Sequence, residues 1–118
     1  MNPKSRAKWA DLYFDRLKGI QRIIQPHDAK VRIAMLDSGI NMHHPEMIKH
    51  KKDGSIALAK GFPNSLNPFE DLNGHGTHGA SVLFKTAPNA VLLVAKLFDD
   101  NGIMSNNSAA VEVIASIL

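Results

Sequence analysis

Apolar residues occur along this chain in short runs separated by polar and glycine-rich segments. Three such runs lie in residues 31–36, 54–62 and 90–98, and short apolar runs of this kind are typical of buried parallel strands. The first run ends in Asp-Ser-Gly, a combination that favours a turn. We therefore expect three strands, each followed by a loop.

Between these runs the apolar positions follow a helical spacing or a helix-starting pattern. We predict helices over residues 5–25, which stop before Pro26, over the short segment 44–50, and over residues 75–85. A last helix is predicted over residues 108–118 with Ser108 as its N-cap. Strands that alternate with helices indicate an α/β fold in which helices pack on a parallel sheet.

Positive charge is concentrated at the amino-terminal end. Residues 1–30 carry seven Lys or Arg and three Asp or Glu, whereas the whole chain has a net charge of +3. The same segment places Trp9, Leu12 and Tyr13 at helical spacing. We interpret residues 1–28 as an amphipathic helical segment with a solvated basic face, and we expect no nucleic-acid partner.

Composition limits the environments and the kinds of chemistry that we expect for the protein. No apolar run approaches the roughly 18 residues of a membrane span, and no apolar signal-peptide stretch follows the basic opening. The chain has no cysteine, so a disulfide framework and thiolate chemistry are excluded. We expect no membrane partner, and an intracellular location if Met1 is the true start; the compartment is otherwise open.

Residues 73–79, Asn-Gly-His-Gly-Thr-His-Gly, carry the most unusual pattern. A glycine costs about 1 kcal/mol relative to alanine inside a helix, so glycines here favour a close backbone approach or an abrupt helix start. His75 is then a candidate catalytic base. Alternatively, His75 and His78 chelate a metal with Asp37 as a third ligand, or both are structural; the absence of His-Glu-x-x-His disfavours the metal site.

Asp37 is the second candidate, because it follows the first predicted strand directly. The carboxyl ends of strands hold the functional groups of open parallel sheets. A carboxylate there can fix the tautomer and the ring orientation of an imidazole at a helix start. We expect Asp37 and His75 to lie within hydrogen-bond reach, about 2.6–3.2 Å.

Two stretches together resemble a known family. Residues 31–47, VRIAMLDSGINMHHPEM, and residues 71–82, DLNGHGTHGASV, resemble the two amino-terminal signatures of the subtilisin-like serine proteases, the subtilases. The resemblance implies a partial subtilisin-like three-layer fold, a parallel sheet with helices on both faces. Residues 29–118 would form the amino-terminal part of the catalytic domain.

The resemblance also implies roles for individual residues. Asp37 would be the acid and His75 the general base of an Asp-His-Ser triad, in the family order. The substrate would be a polypeptide in extended conformation. The loop with Gly102, Ile103 and Met104 would line it, although the family often has a smaller Gly-Ser-Gly-like stretch there.

The main departure from the family pattern is the missing nucleophile. The family's Gly-Thr-Ser motif lies far downstream and is absent from residues 1–118. We therefore expect a chain truncated before the nucleophile serine. It would carry the Asp and the His of a serine endopeptidase; the alternative is a catalytically inactive subtilase-like fragment or interaction module.

The remaining candidates are weaker. The calcium-binding insertion of some relatives is missing, and Glu46 alone does not support calcium, so no metal or other cofactor is expected. We interpret His78 as a buried structural residue behind the site and His44 as a turn-stabilising residue. His27 and His50 are expected at the surface.

Overall fold

The computed structural model describes residues 2–23, 30–104 and Ala115 of the chain. Apart from Ala115, which is helical, the predicted helix over residues 108–118 lies outside these residues. His27 and the predicted domain boundary at residue 28 also lie outside them. The helices and strands are α1 (Pro3–Ile23), β1 (Arg32–Asp37), α2 (Pro45–Lys52), β2 (Ile56–Gly61), α3 (His75–Thr86) and β3 (Val91–Lys96).

The three strands form one parallel sheet in the order β1-β3-β2. Asp37, the last residue of β1, pairs with Lys96 of β3, and Gly61 of β2 pairs with the same lysine. The carboxyl ends of all three strands therefore lie at one edge of the sheet, and the loops after them meet there. This is the edge where a parallel sheet holds its functional groups.

One face of the sheet is covered by α2 and α3. The core between the sheet and these two helices consists of buried side chains from the three strands, α2, α3 and the loop after β1. They are Met35, Ile40, Met47, Ile56, Ala80, Phe84, Leu92 and Val94. Burying one Leu or Ile side chain contributes about 1.5–3 kcal/mol, so this cluster supplies most of the apolar stabilisation of residues 30–104. The predicted α/β class, a parallel sheet with packed helices, is confirmed.

The opposite face of the sheet is more exposed. Leu36 of β1 and Leu58 of β2 point away from the core cluster, and they are 39% and 56% exposed. Within the described residues, both helices of the core cluster lie on the other face. A helix layer over Leu36 and Leu58 would therefore come from outside these residues.

The amino-terminal helix α1 contacts the rest of the protein through α3. The Gln21 side-chain amide donates to the carbonyl oxygen of Thr86 at 2.9 Å, so it caps the carboxyl end of α3. Trp9 and Tyr13 are each 61% exposed, so the apolar side chains of the predicted amphipathic helix are only partly buried. No helix in the described part of the chain is both long and apolar enough to cross a membrane.

The turn that contains His44 leads directly into α2. His44 is the N-cap, and its Nδ1 accepts a hydrogen bond from the Glu46 backbone N–H at 3.3 Å. Pro45 occupies the first helical position, where its missing N–H is not needed. The turn-stabilising role expected for His44 is confirmed.

Two other histidine predictions are wrong. His50 was expected at the surface, but its side chain is only 17% exposed and its ring stacks on Phe84 at 3.8 Å. His50 follows the buried Met47 by three residues, which places both on the core side of α2. His78 was expected to be buried, yet it is exposed: the core side of α3 holds Gly76 and Ala80, and a residue midway between them points outward.

Candidate active site

Asp37 and His75 are brought together at the carboxyl edge of the sheet. The segment before α3 runs beside the segment after β1, because Ile40 N–H donates to the Pro68 carbonyl at 2.9 Å and Met42 N–H donates to that of Phe69 at 3.2 Å. These bonds return the chain to the end of β1. The first residue of α3 therefore lies next to the last residue of β1 although 38 positions separate them.

The two side chains form a direct hydrogen bond. His75 Nδ1 lies 2.9 Å from Asp37 Oδ1 and 3.0 Å from Oδ2. The predicted distance range is confirmed. The Asp37 carboxylate also accepts the backbone N–H of Ser38 at 2.7 Å, which fixes its orientation.

This contact determines which nitrogen of His75 is free. A carboxylate at Nδ1 favours the tautomer with a proton on Nδ1, so Nε2 keeps its lone pair. The His75 side chain is 78% exposed, against 21% for Asp37. The imidazole is thus held from behind while Nε2 can accept a proton from a group in solution or in a bound partner.

The electrostatics of the pair favour a protonated imidazole. The hydrogen bond to Asp37 and the negative charge of Asp37 raise the pKa of His75 above its ordinary value of 6.5, against a smaller effect of desolvation. The charge of Asp71 adds to the rise. An imidazole that gains positive charge during a reaction is therefore stabilised here.

The glycines of the histidine motif allow this close approach. Gly74 is the N-cap of α3 with φ of 86°, a conformation that glycine adopts without strain. Gly76 lies against the backbone of Gly39, and a β-carbon at position 76 would overlap the Gly39 carbonyl oxygen. The first turn of α3 can therefore contact the loop after Asp37 only because residue 76 has no side chain.

Alanine substitution at two glycines of α3 should have opposite effects. Gly76→Ala is expected to destabilise the protein by about 1–3 kcal/mol, because the new methyl group forces two backbones apart. Gly79→Ala should be neutral or stabilise by up to about 1 kcal/mol, since a β-carbon there would meet only Met35 Sδ at 3.9 Å. Chemical denaturation of both variants measures the difference. Equal stability of the two variants would contradict the close approach.

A buried carboxylate that the sequence analysis did not single out supports the site. Asp71 is only 6% exposed. It accepts hydrogen bonds from Ser38, Gly74 and Thr77, residues that flank Asp37 and His75. The sequence offered one indication of this role, an aspartate four residues before His75. Nothing in the motif indicates that this aspartate is buried.

A buried lysine holds the loop before α3 to the sheet. Lys96, the last residue of β3, is 3% exposed. Its Nζ donates to the Glu70 carbonyl oxygen at 2.7 Å and lies 3.6 Å from Asp100 Oδ1. The loop before α3 and the loop after β3 are thus joined through one ammonium group.

The predicted substrate-lining residues occupy a tight turn beside the motif. The Asp99 carboxylate accepts the backbone N–H of Ile103 at 2.9 Å, and Gly102 adopts φ of 75°. The Ile103 side chain is 60% exposed, whereas Met104 packs against the small cluster around Phe62. A β-carbon on Gly102 would be 3.8 Å from the Asn73 side chain, so this turn lies close to the histidine motif.

The residues of the alternative metal site do not form a cluster. Within residues 2–23 and 30–104, no group of three or more His, Asp or Glu side chains comes together in a way that could hold a metal ion. His75 contacts Asp37, while His78 is exposed one turn further along α3.

The sequence of the chain matches a family of known proteins. A sequence model of the subtilase family matches residues 28–116. Subtilisin E of Bacillus subtilis strain 168 is 31% identical over 83 residues, which is 63% of this chain and 20% of that protein. Subtilisin of Bacillus pumilus is 30% identical over 83 residues, 63% of this chain and 28% of that protein.

An intracellular relative is similar to the same extent. The intracellular serine protease of Paenibacillus polymyxa is 32% identical over 81 residues, 61% of this chain and 24% of that protein. The chain thus spans between a fifth and somewhat more than a quarter of the length of these relatives. Since the family match covers most of the chain, including the strand end with Asp37 and the helix start with His75, the chain belongs to the subtilase family.

Proposed function

We propose that this chain supplies the acid and the base of a serine endopeptidase that cleaves peptide bonds. The observation that carries the proposal is the bond between His75 Nδ1 and the Asp37 carboxylate, with the ring exposed and Nε2 bonded to no described residue. In this role His75 Nε2 takes the proton of a serine hydroxyl as its oxygen attacks the peptide carbonyl, and later gives that proton to the leaving amine. Asp37 stays ionised and stabilises the imidazolium.

The nucleophile in this proposal is a serine outside residues 1–118. Ser38 is 3% exposed, and its hydroxyl donates to Asp71 at 2.8 Å. The Ser81 hydroxyl donates to Glu46 at 2.9 Å. Because both hydroxyls donate to other carboxylates, neither is available to His75. The family's Gly-Thr-Ser motif is also absent from residues 1–118, so we expect these residues alone to show no peptidase activity. The absence of that motif from residues 1–118 favours an inactive interaction module as the second candidate function.

The proposed substrate is a polypeptide in extended conformation. Ile103 is exposed on the turn that lies near Asn73, two residues before His75. An apolar side chain at this place suits contact with an apolar substrate side chain, while backbone pairing would hold the extended chain. The contacts of Gly102, Ile103 and Met104 with substrate stay a prediction.

The titration of His75 tests the acid-base pair in the chain itself. In an NMR titration, the pKa of His75 is expected above its ordinary value of 6.5, because the ionised Asp37 stabilises the imidazolium. Asp37→Asn should return the pKa to the ordinary range or below it. A His75 pKa at or below 6.5 in the unaltered chain would contradict the proposal.

The same shift fixes the direction of two pH effects. A histidine whose pKa rises on folding stabilises the folded protein below about pH 6.5, and this contribution disappears as the pH rises through the raised pKa. Catalysis requires neutral His75, so turnover in a complete enzyme should fall as the pH decreases through that raised pKa.

A further inference from the structure

We propose that Asp71 is a positioning residue that holds Asp37 and His75 in register. This inference rests on the proposed function of the pair. It is carried by the hydrogen bonds of one buried carboxylate with both halves of the site.

Each oxygen of the Asp71 carboxylate accepts two hydrogen bonds. Oδ1 accepts from the Ser38 hydroxyl at 2.8 Å and from the Gly74 backbone N–H at 2.9 Å. Oδ2 accepts from the Thr77 backbone N–H at 2.8 Å and from the Thr77 hydroxyl at 2.6 Å. Ser38 directly follows Asp37, and Gly74 and Thr77 lie on either side of His75 in the sequence. One side chain therefore connects the segment that carries Asp37 with the segment that carries His75.

The partners of Asp71 extend these connections. The Ser38 oxygen also accepts the backbone N–H of Gly76 at 3.0 Å, and the Thr77 oxygen accepts the backbone N–H of Asn41 at 2.9 Å. The loop after β1 and the first turn of α3 are therefore bonded to each other twice through groups that Asp71 orients. A displacement of α3 relative to Asp37 would break several of these bonds together.

This network replaces the missing cap of α3. The N-cap Gly74 has no side chain, so the first N–H groups of the helix need other acceptors. Those of His75, Gly76 and Thr77 are accepted by the side chains of Asn73, Ser38 and Asp71. The position of His75 at the helix start is thus determined by acceptors outside the helix.

The chemistry of the site requires a carboxylate and not an amide at position 71. Both oxygens accept from backbone N–H groups, which cannot reverse their polarity. In Asp71→Asn, the amide nitrogen would face one of these donors and leave it without an acceptor. Burial acts to raise the pKa of Asp71, but hydrogen bonds from Thr77, Ser38 and Gly74 outweigh it and lower the pKa below its ordinary value. The group therefore stays ionised near neutral pH.

Titration of His75 in variants of the 118-residue chain tests the positioning role. In Asp71→Asn the His75 pKa is expected to fall by at least about half a unit, because the contact with Asp37 loosens and a nearby negative charge is lost. Ser38→Ala keeps that charge but removes one bridge, so it should lower the His75 pKa in the same direction. The matched control is Glu70→Gln, which removes a carboxylate one residue away whose side chain bonds no described residue; it should leave the His75 pKa unchanged.

The readouts separate positioning from general stability. Thermal unfolding is measured on the same samples. Loss of the Asp71 charge alone lowers the His75 pKa, so Ser38→Ala, which keeps that charge, is the deciding variant. A lower melting temperature with an unchanged His75 pKa in Ser38→Ala would overturn the inference, and so would an unchanged His75 pKa in Asp71→Asn. A His75 pKa that is not raised in the unaltered chain would contradict the proposed function instead, so the two failures are distinguishable.

Discussion

Alanine in place of His75 is expected to lower peptide turnover by about 10⁶-fold in a fusion of residues 1–118 to the nucleophile-bearing remainder of subtilisin E. The large effect follows because the serine hydroxyl is a poor nucleophile until a base removes its proton. Nε2 of His75 is the exposed basic nitrogen next to the Asp37 carboxylate. Hydrolysis of a chromogenic peptide by the fusion and by its His75→Ala variant measures the difference.

Two controls define this experiment. Residues 1–118 alone should show no hydrolysis, and a serine-directed covalent inhibitor should abolish the activity of the fusion. Turnover retained by His75→Ala would remove His75 from the proposed role. Chelator-sensitive hydrolysis by residues 1–118 alone would instead favour the metal site that His75, His78 and Asp37 were considered to form.

Asparagine in place of Asp37 should lower turnover of the same fusion by about 10⁴-fold. The asparagine amide would donate a hydrogen bond to Nδ1 of His75, so the ring would carry its proton on Nε2, the wrong nitrogen for a base. The ring position would change little, since Asn and Asp have the same shape. The measurement is kcat at a pH where His75 is neutral in both proteins.

A carboxylate away from the site provides the matched control. Asp53 follows α2 and its side chain is 47% exposed, and Asp53→Asn should keep turnover within a factor of about two. A loss of less than tenfold in Asp37→Asn would show that Asp37 does not determine the tautomer. A similar loss in both variants would indicate a general effect of charge or folding.

The sequence was sufficient for the parts of the fold that depend on local patterns. The apolar runs that contain Met35 and Val94 predicted β1 and β3 because their side chains are buried by the sheet and its helices. The glycines around His75 predicted the abrupt start of α3. The distance between Asp37 and His75 followed from placing a strand end beside a helix start, and the resemblance to the subtilases supplied the order of the two residues.

Other features depend on contacts that no local pattern records. Nothing around Asp71 indicates that four donors converge on its carboxylate, because these donors come from two segments far apart in sequence. His50 resembled a surface residue in a run of lysines, yet Phe84 of another helix covers its ring. His78 was expected to be buried behind the site, whereas the rotation of α3 buries Gly76 and exposes His78.

The parallel sheet has a practical consequence for labelling this protein. The chain enters all three strands at one edge and leaves them at the other, about 17 Å away for strands of this length. The turns that lead into β2 and β3, residues 53–54 and 87–89, lie at the entry edge. A fluorophore or an affinity tag placed in either turn reports on the protein from the far end of the sheet, while the segments 62–74 and 97–104, which converge at the opposite edge, are left intact.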